Sequence, residues 1–333
     1  MNAMHNKSSE KSVLIDKTLL PPAVLGDKSV LSEPARAEIR KYSGARPIPF
    51  TLQLMLAWLI IVGVISWAIW VDSIWATAVA IFIVATRQNI LGLLVHEQAH
   101  MLGYNHKFGD LLVNLFAAFP LMVLTVEKYA QVHLTHHRYF NLENDPDFIR
   151  KSGENWSVPK SRLDVVKILL VDLTGINTLK LIHGKNVKPD STAFSARKSN
   201  LFWVRPLYFL VLAGVLTWTH AWGIFFLYWV LPALTVTQAI NTWGALCEHK
   251  YNLAGASVAD STPLILPRWW EKLLLPDLNF SMHPYHHYFP EVSFSFLPKV
   301  HEIYCRENKV NQENVFLGNY GFFKFITTQK AGA

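Results

Sequence analysis

Three short stretches of the chain are rich in histidine: HEQAH at 96–100, HLTHH at 133–137 and HPYHH at 283–287. A helix would place the histidines of each stretch on one face, because side chains three and four residues apart are neighbours there. Neutral imidazole is the commonest metal ligand in proteins and suits iron, zinc, copper and nickel. Imidazoles gathered without a metal would repel one another once protonated. The predicted metal ligands are His96, His100, His133, His136, His137, His283, His286 and His287.

A ninth histidine, His249 in NTWGALCEHK, follows an apolar run and is predicted to lie at the same end of the molecule. One metal ion with roughly four to six ligand positions cannot use eight or nine histidines, whereas two ions can. The pattern therefore predicts a site for two metal ions. The ligand type alone leaves the identity of the metal open.

The elements that must position these histidines are long apolar runs. Of 333 residues, 51% are apolar and 17% are charged. A membrane-spanning helix needs about 20 mostly apolar residues. Residues 51–71 carry no charge and residues 74–95 carry only Arg87, so the two runs predict a helical hairpin with a tight DS connection.

A second hairpin is predicted over residues 201–240, which contain a single arginine and are long enough for two spans at about 1.5 Å per residue. THAWG at 219–223 is its predicted turn. The apolar run 111–126 contains Pro120 and is predicted to be interfacial or re-entrant. The predicted fold class is therefore all-α: a multi-pass membrane protein with two transmembrane hairpins (four spans) and a cytoplasmic, histidine-rich helical cap.

The distribution of positive charge predicts the orientation. In this arrangement 29 of the 31 Lys and Arg residues fall on one side, and the two tight turns on the other side carry none. Because cytoplasmic segments carry the excess of Lys and Arg, both termini and all three histidine stretches are predicted to be cytoplasmic. The net charge of +7 then fits a membrane surface, and no motif indicates nucleic-acid binding.

Three regions are expected along the chain: a polar, partly disordered cytoplasmic tail at 1–48, a membrane-embedded domain at 49–305, and a C-terminal tail of unknown role at 306–333. The first 48 residues do not resemble a cleavable signal peptide. The two cysteines, Cys247 and Cys305, predict neither a disulfide framework nor a CxxC site.

The three stretches in their sequence context, HEQAH, HLTHHRYFNLENDPD and NFSMHPYHHYFP, resemble the three histidine boxes of the membrane fatty acid desaturase and hydroxylase superfamily. The third agrees beyond its histidines, with Asn279 four residues before His283 and Pro290 after an aromatic residue. The order of hairpin, large loop and hairpin also fits. The resemblance covers about residues 45–300.

This resemblance implies a non-haem centre of two iron ions at the cytoplasmic face, with the eight box histidines and His249 as ligands. Such enzymes activate O₂ and remove hydrogen from an unactivated C–H bond of a lipid or acyl chain. Desaturation is the leading expectation, and hydroxylation on the same scaffold is the alternative. The chain has no haem-attachment CxxCH, no iron–sulfur cysteine set and no Rossmann glycine motif. Electrons are therefore expected from an external ferredoxin or cytochrome.

Several polar residues are candidates to support the metal ligands through hydrogen bonds. They are Asp145 in NDPD, Glu248 beside His249, and Asn279, which could orient His283 or instead cap a helix. Trp269 and Trp270 are expected to anchor the chain at the membrane interface.

Two interpretations from other classes remain open. HEQAH fits the HExxH signature of zinc metalloproteases, in which the glutamate, here Glu97, is the base. That interpretation explains two histidines of the nine. The second interpretation is a transporter or a metal-binding membrane protein that catalyses no reaction. Transporters place their polar ligands near the bilayer midplane within broken helices, whereas the histidines here are predicted to lie beyond the ends of the spans.

Overall fold

The computed structural model describes residues 30–106, 108–122, 125–151, 153, 156–183, 197 and 202–328, the side chains of 181–183 excepted. The described part is mostly helical, as the sequence predicts, and contains one small sheet. Its helices are α1 (Glu33–Arg40), α2 (Pro47–Val71), α3 (Ile74–Ala99), α4 (Gly109–Ala118), α5 (Val126–Tyr139), α6 (Pro146–Lys151), α7 (Arg162–Leu173), α8 (Ile176–His183), α9 (Val204–Trp218), α10 (Trp222–Glu248), α11 (Val258–Ser261), α12 (Trp269–Leu274), α13 (His283–Tyr288), α14 (Leu297–Arg306) and α15 (Gly318–Thr328). Strands β1 (Leu264–Leu266) and β2 (Val315–Leu317) pair in parallel.

Three of the described helices, α2, α3 and α10, are long and apolar enough to cross a membrane, with 25, 26 and 27 residues. At about 1.5 Å per residue they are roughly 38–40 Å long, which exceeds a hydrocarbon core of about 30 Å. The third predicted span corresponds to α9, which has only 15 residues, or about 22 Å. The count of four spans therefore stays a prediction.

Helices α2 and α3 form the predicted hairpin. Asp72 ends α2 in a left-handed conformation, and the side chain of Ser73 accepts a hydrogen bond from the amide of Trp75 to cap α3. Small residues pack between them: Ala68 of α2 lies in one buried cluster with Ala76 and Ala80 of α3. The apolar run 111–126 is not one helix: α4 ends before Pro120, and α5 begins at Val126.

Helix α10 is interrupted in its middle. A π-helical segment at Phe226–Val230 is followed by Pro232, and Thr235 leaves helical geometry with φ −123° and ψ −88°. Side chains bind the carbonyls near the break: Gln88 of α3 donates to Trp229 at 2.9 Å. Such partners are required where water is absent, since an unsatisfied carbonyl in lipid is costly.

The histidine-bearing helices pack in a cap that includes both ends of the described chain. Helix α1, within the predicted tail 1–48, buries Ile39 in a core shared with Val300 of α14. Strand β2 and helix α15, within the predicted tail 306–333, pack Phe316 and Phe322 against Ile265 of β1. Of the predicted tail 1–48, residues 1–29 lie outside the described residues, so its expected partial disorder and the three-region division stay predictions.

Candidate metal centre

Four elements bring the nine histidines together. His96 lies in the last turn of α3, and His100 caps the end of that helix. The second stretch lies on α5, the third on the short helix α13, and His249 caps the end of α10. All nine side chains are buried, with exposures of 8% or less. The helical spacing therefore produces the convergence that the sequence predicts.

The imidazoles form two clusters. In the first, Nε2 of His100 lies 2.8 Å from Nε2 of His133, and Nε2 of His137 lies 3.0 Å from those of both His133 and His286. His96 joins this cluster, because one of its ring nitrogens lies within 4.8 Å of a ring nitrogen in each of His100, His133 and His286.

In the second cluster, Nε2 of His249 lies 3.1 Å from those of both His283 and His287, which are themselves 3.2 Å apart. His136 completes it. The adjacent pair His136 and His137 is therefore divided between the two clusters. The pair His286 and His287 is divided in the same way.

The spacing of these nitrogens fits two cations. With metal–nitrogen bonds of about 2.1 Å, two imidazole ligands at a right angle are about 3 Å apart. Several nitrogens also have no hydrogen-bond partner although they are buried: both nitrogens of His96 and Nδ1 of His100, His137, His283 and His287. Buried polar atoms are normally paired, so the two unpaired nitrogens of His96 fit a side chain that would use its lone pair to bind a cation.

The electrostatics keep most of these rings neutral. Burial, reinforced by the charges of neighbouring imidazoles, holds the pKa of His133, His137, His249, His283 and His286 well below its ordinary value. A neutral imidazole keeps a lone pair available for a cation. The buried set is therefore poised to bind metal at neutral pH.

Two outer residues fix ring orientation. Nδ1 of His136 lies 2.9 Å from both carboxylate oxygens of Asp145, which is 1% exposed. Burial alone would lower the pKa of His136, but the charge and hydrogen bond of Asp145 outweigh it and raise that pKa. Asp145 also accepts hydrogen bonds from the amides of Asn141 and Asp147. Nδ1 of His249 lies 2.9 Å from the hydroxyl of Thr262. Both contacts leave Nε2 to face the cluster.

The other predicted polar residues make different contacts. The Asn279 side chain donates to the carbonyl of Phe294 at 3.3 Å, and Asn279 begins a 3₁₀ turn without a side-chain cap. Glu248 accepts a hydrogen bond from Lys151. Glu97 is buried and accepts from the amide of Phe294 at 3.1 Å. In these contacts neither Asn279 nor Glu248 is paired with a histidine, so their predicted support of the ligands stays a prediction.

Sequence reasoning missed two residues of the site. Lys151 is 5% exposed, donates to Tyr251 at 2.7 Å, and contacts the carboxylates of Asp147 and Glu248 at 3.3 Å. It thereby ties α6 to the chain around His249. A lysine in a charged stretch gives no sequence signal for burial.

The second missed residue is Phe280. Its ring lies 4.4 Å from that of His96, 4.9 Å from His283 and 5.6 Å from His286, so it touches both clusters. It is only half-buried. The preceding residues Leu278 and Asn279 are both left-handed, with φ +51° and +62°. Such backbone strain persists where surrounding contacts over-determine it, often at functional sites.

The loop that carries Phe280 follows α3 from the membrane toward the histidines. The carbonyl of Pro276 accepts a hydrogen bond from Asn89 at 3.4 Å, and Asn89 precedes His96 by seven residues, or about 10 Å of helix. Leu278 packs against the core between the spans. Phe280 therefore approaches the two clusters from the membrane side.

Comparisons with known proteins agree with this geometry. The family model for fatty acid desaturases matches residues 72–312, which is more than half of the chain and includes all nine histidines. A relative, the dihydrorhizobitoxine desaturase of Bradyrhizobium elkanii, is 25% identical over 245 residues, covering 69% of this chain and 68% of its own length. The chain therefore belongs to the fatty acid desaturase family and is an enzyme of the oxidoreductase class.

Proposed function

We propose that this protein is an O₂-dependent desaturase that holds two iron ions and inserts a double bond into an acyl chain. The observation that carries the proposal is the pair of imidazole clusters, buried side by side at the ends of membrane-length helices. Each cluster receives one histidine from the pair His136–His137 and one from the pair His286–His287. This arrangement suits two ions that act on one substrate position. The name of the relative favours desaturation over hydroxylation.

Two iron ions bound there would supply activation of O₂ and removal of hydrogen from an unactivated carbon. Overall, two hydrogens from neighbouring carbons, O₂, two electrons and two protons give a double bond and two waters. The protein must therefore orient the ligands, exclude bulk water and present the acyl chain. The electrons come from an external donor, which we propose to be a ferredoxin or a cytochrome.

Asp145 and Thr262 orient two of the ligands. Asp145 accepts from Nδ1 of His136 and so selects the tautomer with a free Nε2. Thr262 holds Nδ1 of His249. Outer partners of this kind are worth roughly tenfold to a hundredfold in metal affinity.

Exclusion of water falls to aromatic rings around the clusters. Phe140 is 4% exposed and its ring lies 4.7 Å from that of His287. Tyr129 stacks on His133 at 5.5 Å. Rings on these faces keep the site dry, which limits side reactions of a strong oxidant.

The proposed arrangement in the cell has the clusters and both termini on the cytoplasmic side, with four spans. The one-sided distribution of Lys and Arg supports this orientation. The zinc-protease interpretation is disfavoured because Glu97, its would-be base, is held by the amide of Phe294. It also leaves seven of the nine histidines without a role.

Expression in a host that lacks desaturases, followed by mass spectrometry of its lipids, tests the proposal. The expected product has lost two hydrogens, and the His136→Ala variant should give none while remaining in the membrane. His106→Ala is the matched control, because His106 is exposed and outside both clusters. A product that has gained one oxygen would replace the proposal with hydroxylation. Purified protein with one zinc and no iron would overturn it.

A further inference from the structure

Helices α7 and α8 form a hairpin against the second half of α10. Val165, near the start of α7, packs in a cluster with Trp243 and Cys247 of α10. At the tip of the hairpin, the hydroxyl of Thr178 donates to the carbonyl of Leu234 at 2.8 Å. Helix α7 therefore runs antiparallel to α10, and the turn into α8 reaches the middle of α10.

The contact at Leu234 lies deep along α10. Leu234 precedes Glu248, the last residue of the helix, by 14 residues, or about 21 Å at 1.5 Å per residue. His249 of the metal centre follows Glu248 directly. If the clusters lie at the water boundary, the hairpin tip extends well below that boundary, to the depth of the hydrocarbon.

The break in α10 leaves the carbonyl of Leu234 without its usual helical partner. At the break in α10 the amide of Gln238 pairs with the carbonyl of Thr235 instead of the carbonyl of Leu234. The Leu234 carbonyl instead receives the Thr178 hydroxyl. Within a bilayer such a carbonyl must find a protein partner.

The outward face of the hairpin is mostly apolar, although Lys167 is exposed between Leu163 and Leu170. Its exposed large side chains follow helical spacing, with Leu163 60% and Leu170 55% exposed. The stripe consists of Leu163, Val166, Leu170, Leu173, Ile176 and Leu179. Between Lys167 and Lys180 the only charged residue is Asp172, which is buried and accepts from Asn177 at 2.7 Å. The exposed side chains of the tip therefore carry no charge, and lysines flank it on both sides. This is the pattern of a segment inserted into lipid.

We propose that α7 and α8 form a re-entrant hairpin that inserts into the cytoplasmic leaflet beside α10 and contacts lipid through this stripe. The occupant of the stripe is the bilayer, because α7 packs along α10, which is long and apolar enough to span a membrane. In the sequence, the four-span arrangement and the distribution of Lys and Arg predict a cytoplasmic position for this segment.

Fluorescent reporters in the full-length protein test the proposal. Leu170→Cys and Leu173→Cys, in a Cys305→Ser background, are labelled with an environment-sensitive dye. The protein is reconstituted in vesicles of phosphatidylcholine and phosphatidylglycerol that contain doxyl-labelled lipid. Leu59→Cys on α2, which is 66% exposed, is the lipid-facing control. Lys299→Cys on α14, whose side chain is 53% exposed, is the control in the cap.

Both hairpin probes should be quenched by doxyl lipid about fivefold more than the Lys299→Cys probe, and about as strongly as the Leu59→Cys probe. Quenching by aqueous iodide should follow the opposite order. Probes quenched by iodide and not by lipid would overturn the proposal. Probes shielded from both quenchers would show that a second copy of the chain covers the stripe, which also overturns it. No outcome depends on iron or on desaturation.

Discussion

The carboxylate of Asp145 and the imidazole of His136 are joined by a buried contact of 2.9 Å from Nδ1 to each carboxylate oxygen. Asp145 is nine residues from His136 in the chain, and the same carboxylate receives the amide of Asp147 at the start of α6. One side chain therefore both begins a helix and fixes the tautomer of a predicted metal ligand.

Replacing that carboxylate should weaken metal binding. Asp145→Asn keeps the size of the side chain but loses the charge that holds Nδ1–H of His136, so iron affinity should fall by about tenfold to a hundredfold. Metal titration and iron content per chain measure this. Asp260→Asn is the control, because Asp260 is exposed and pairs with Ser257. Equal affinity in both variants would refute the orienting role of Asp145.

The two clusters should lose metal separately. His100→Ala removes a member of the first cluster and His283→Ala a member of the second, so each variant should retain about one tightly bound ion in place of two. Elemental analysis of purified protein counts the ions, and size-exclusion chromatography checks folding. The control variant His106→Ala should keep both ions. If His100→Ala and His283→Ala each hold two ions with unchanged affinity, the division into clusters is wrong.

Lys151 should stabilise the fold around His249. Lys151→Met leaves the carboxylates of Asp147 and Glu248 without their shared cation. Breaking a buried ion pair lowers the free energy of unfolding by about 3–5 kcal/mol. Because both carboxylates are partly exposed, we expect a loss of about 3 kcal/mol or less. Thermal unfolding measures it. Lys299→Met, which breaks an exposed pair with Glu302, should cost about 0–1 kcal/mol. A similar small loss in both variants would contradict the prediction.

The effect of Lys151 should depend on pH. Burial would raise the pKa of Asp147, but the charges of Lys151 and Arg150 outweigh it and hold that pKa well below its ordinary value. A carboxyl with a lowered folded-state pKa stabilises the fold above its unfolded pKa of about 4, and this stabilisation is lost as pH falls. The stability difference between wild type and Lys151→Met should therefore narrow below about pH 4. A difference that widens on acidification would reverse the assigned sign.

Phe280 should couple oxygen consumption to product formation. Phe280→Ala removes the ring that touches both clusters from the membrane side, so the metals should stay bound while the acyl chain is held less well. We expect the yield of unsaturated product per O₂ consumed to fall by about tenfold. Tyr320→Ala, on an exposed ring of α15, should leave the yield unchanged. Loss of iron in Phe280→Ala would instead indicate a structural role.

Much of the centre was predictable because it rests on local periodicity. The spacing of His133, His136 and His137 required only that α5 be helical, and the runs at 51–71 and 74–95 required only length and apolarity. The desaturase family, indicated by the three boxes, is confirmed by the family match.

What the sequence could not supply depends on tertiary contacts. Lys151 is buried because Tyr251 and Glu248 contact it from distant parts of the chain. Strands β1 and β2 have three residues each and pair across about 50 positions of sequence, so no local pattern marks them. Helix α9 is shorter than the predicted span, because the apolar run over 201–240 does not reveal where the helix begins and ends.

The doublets His136–His137 and His286–His287 each send neighbouring side chains to opposite clusters. Consecutive residues on a helix are joined by one peptide unit, with Cα atoms about 3.8 Å apart. Two ions bound in these clusters would therefore have a separation that depends on covalent geometry within two helices as well as on the packing of distant segments. A rigid-body shift of either helix would move its ligands to both ions together.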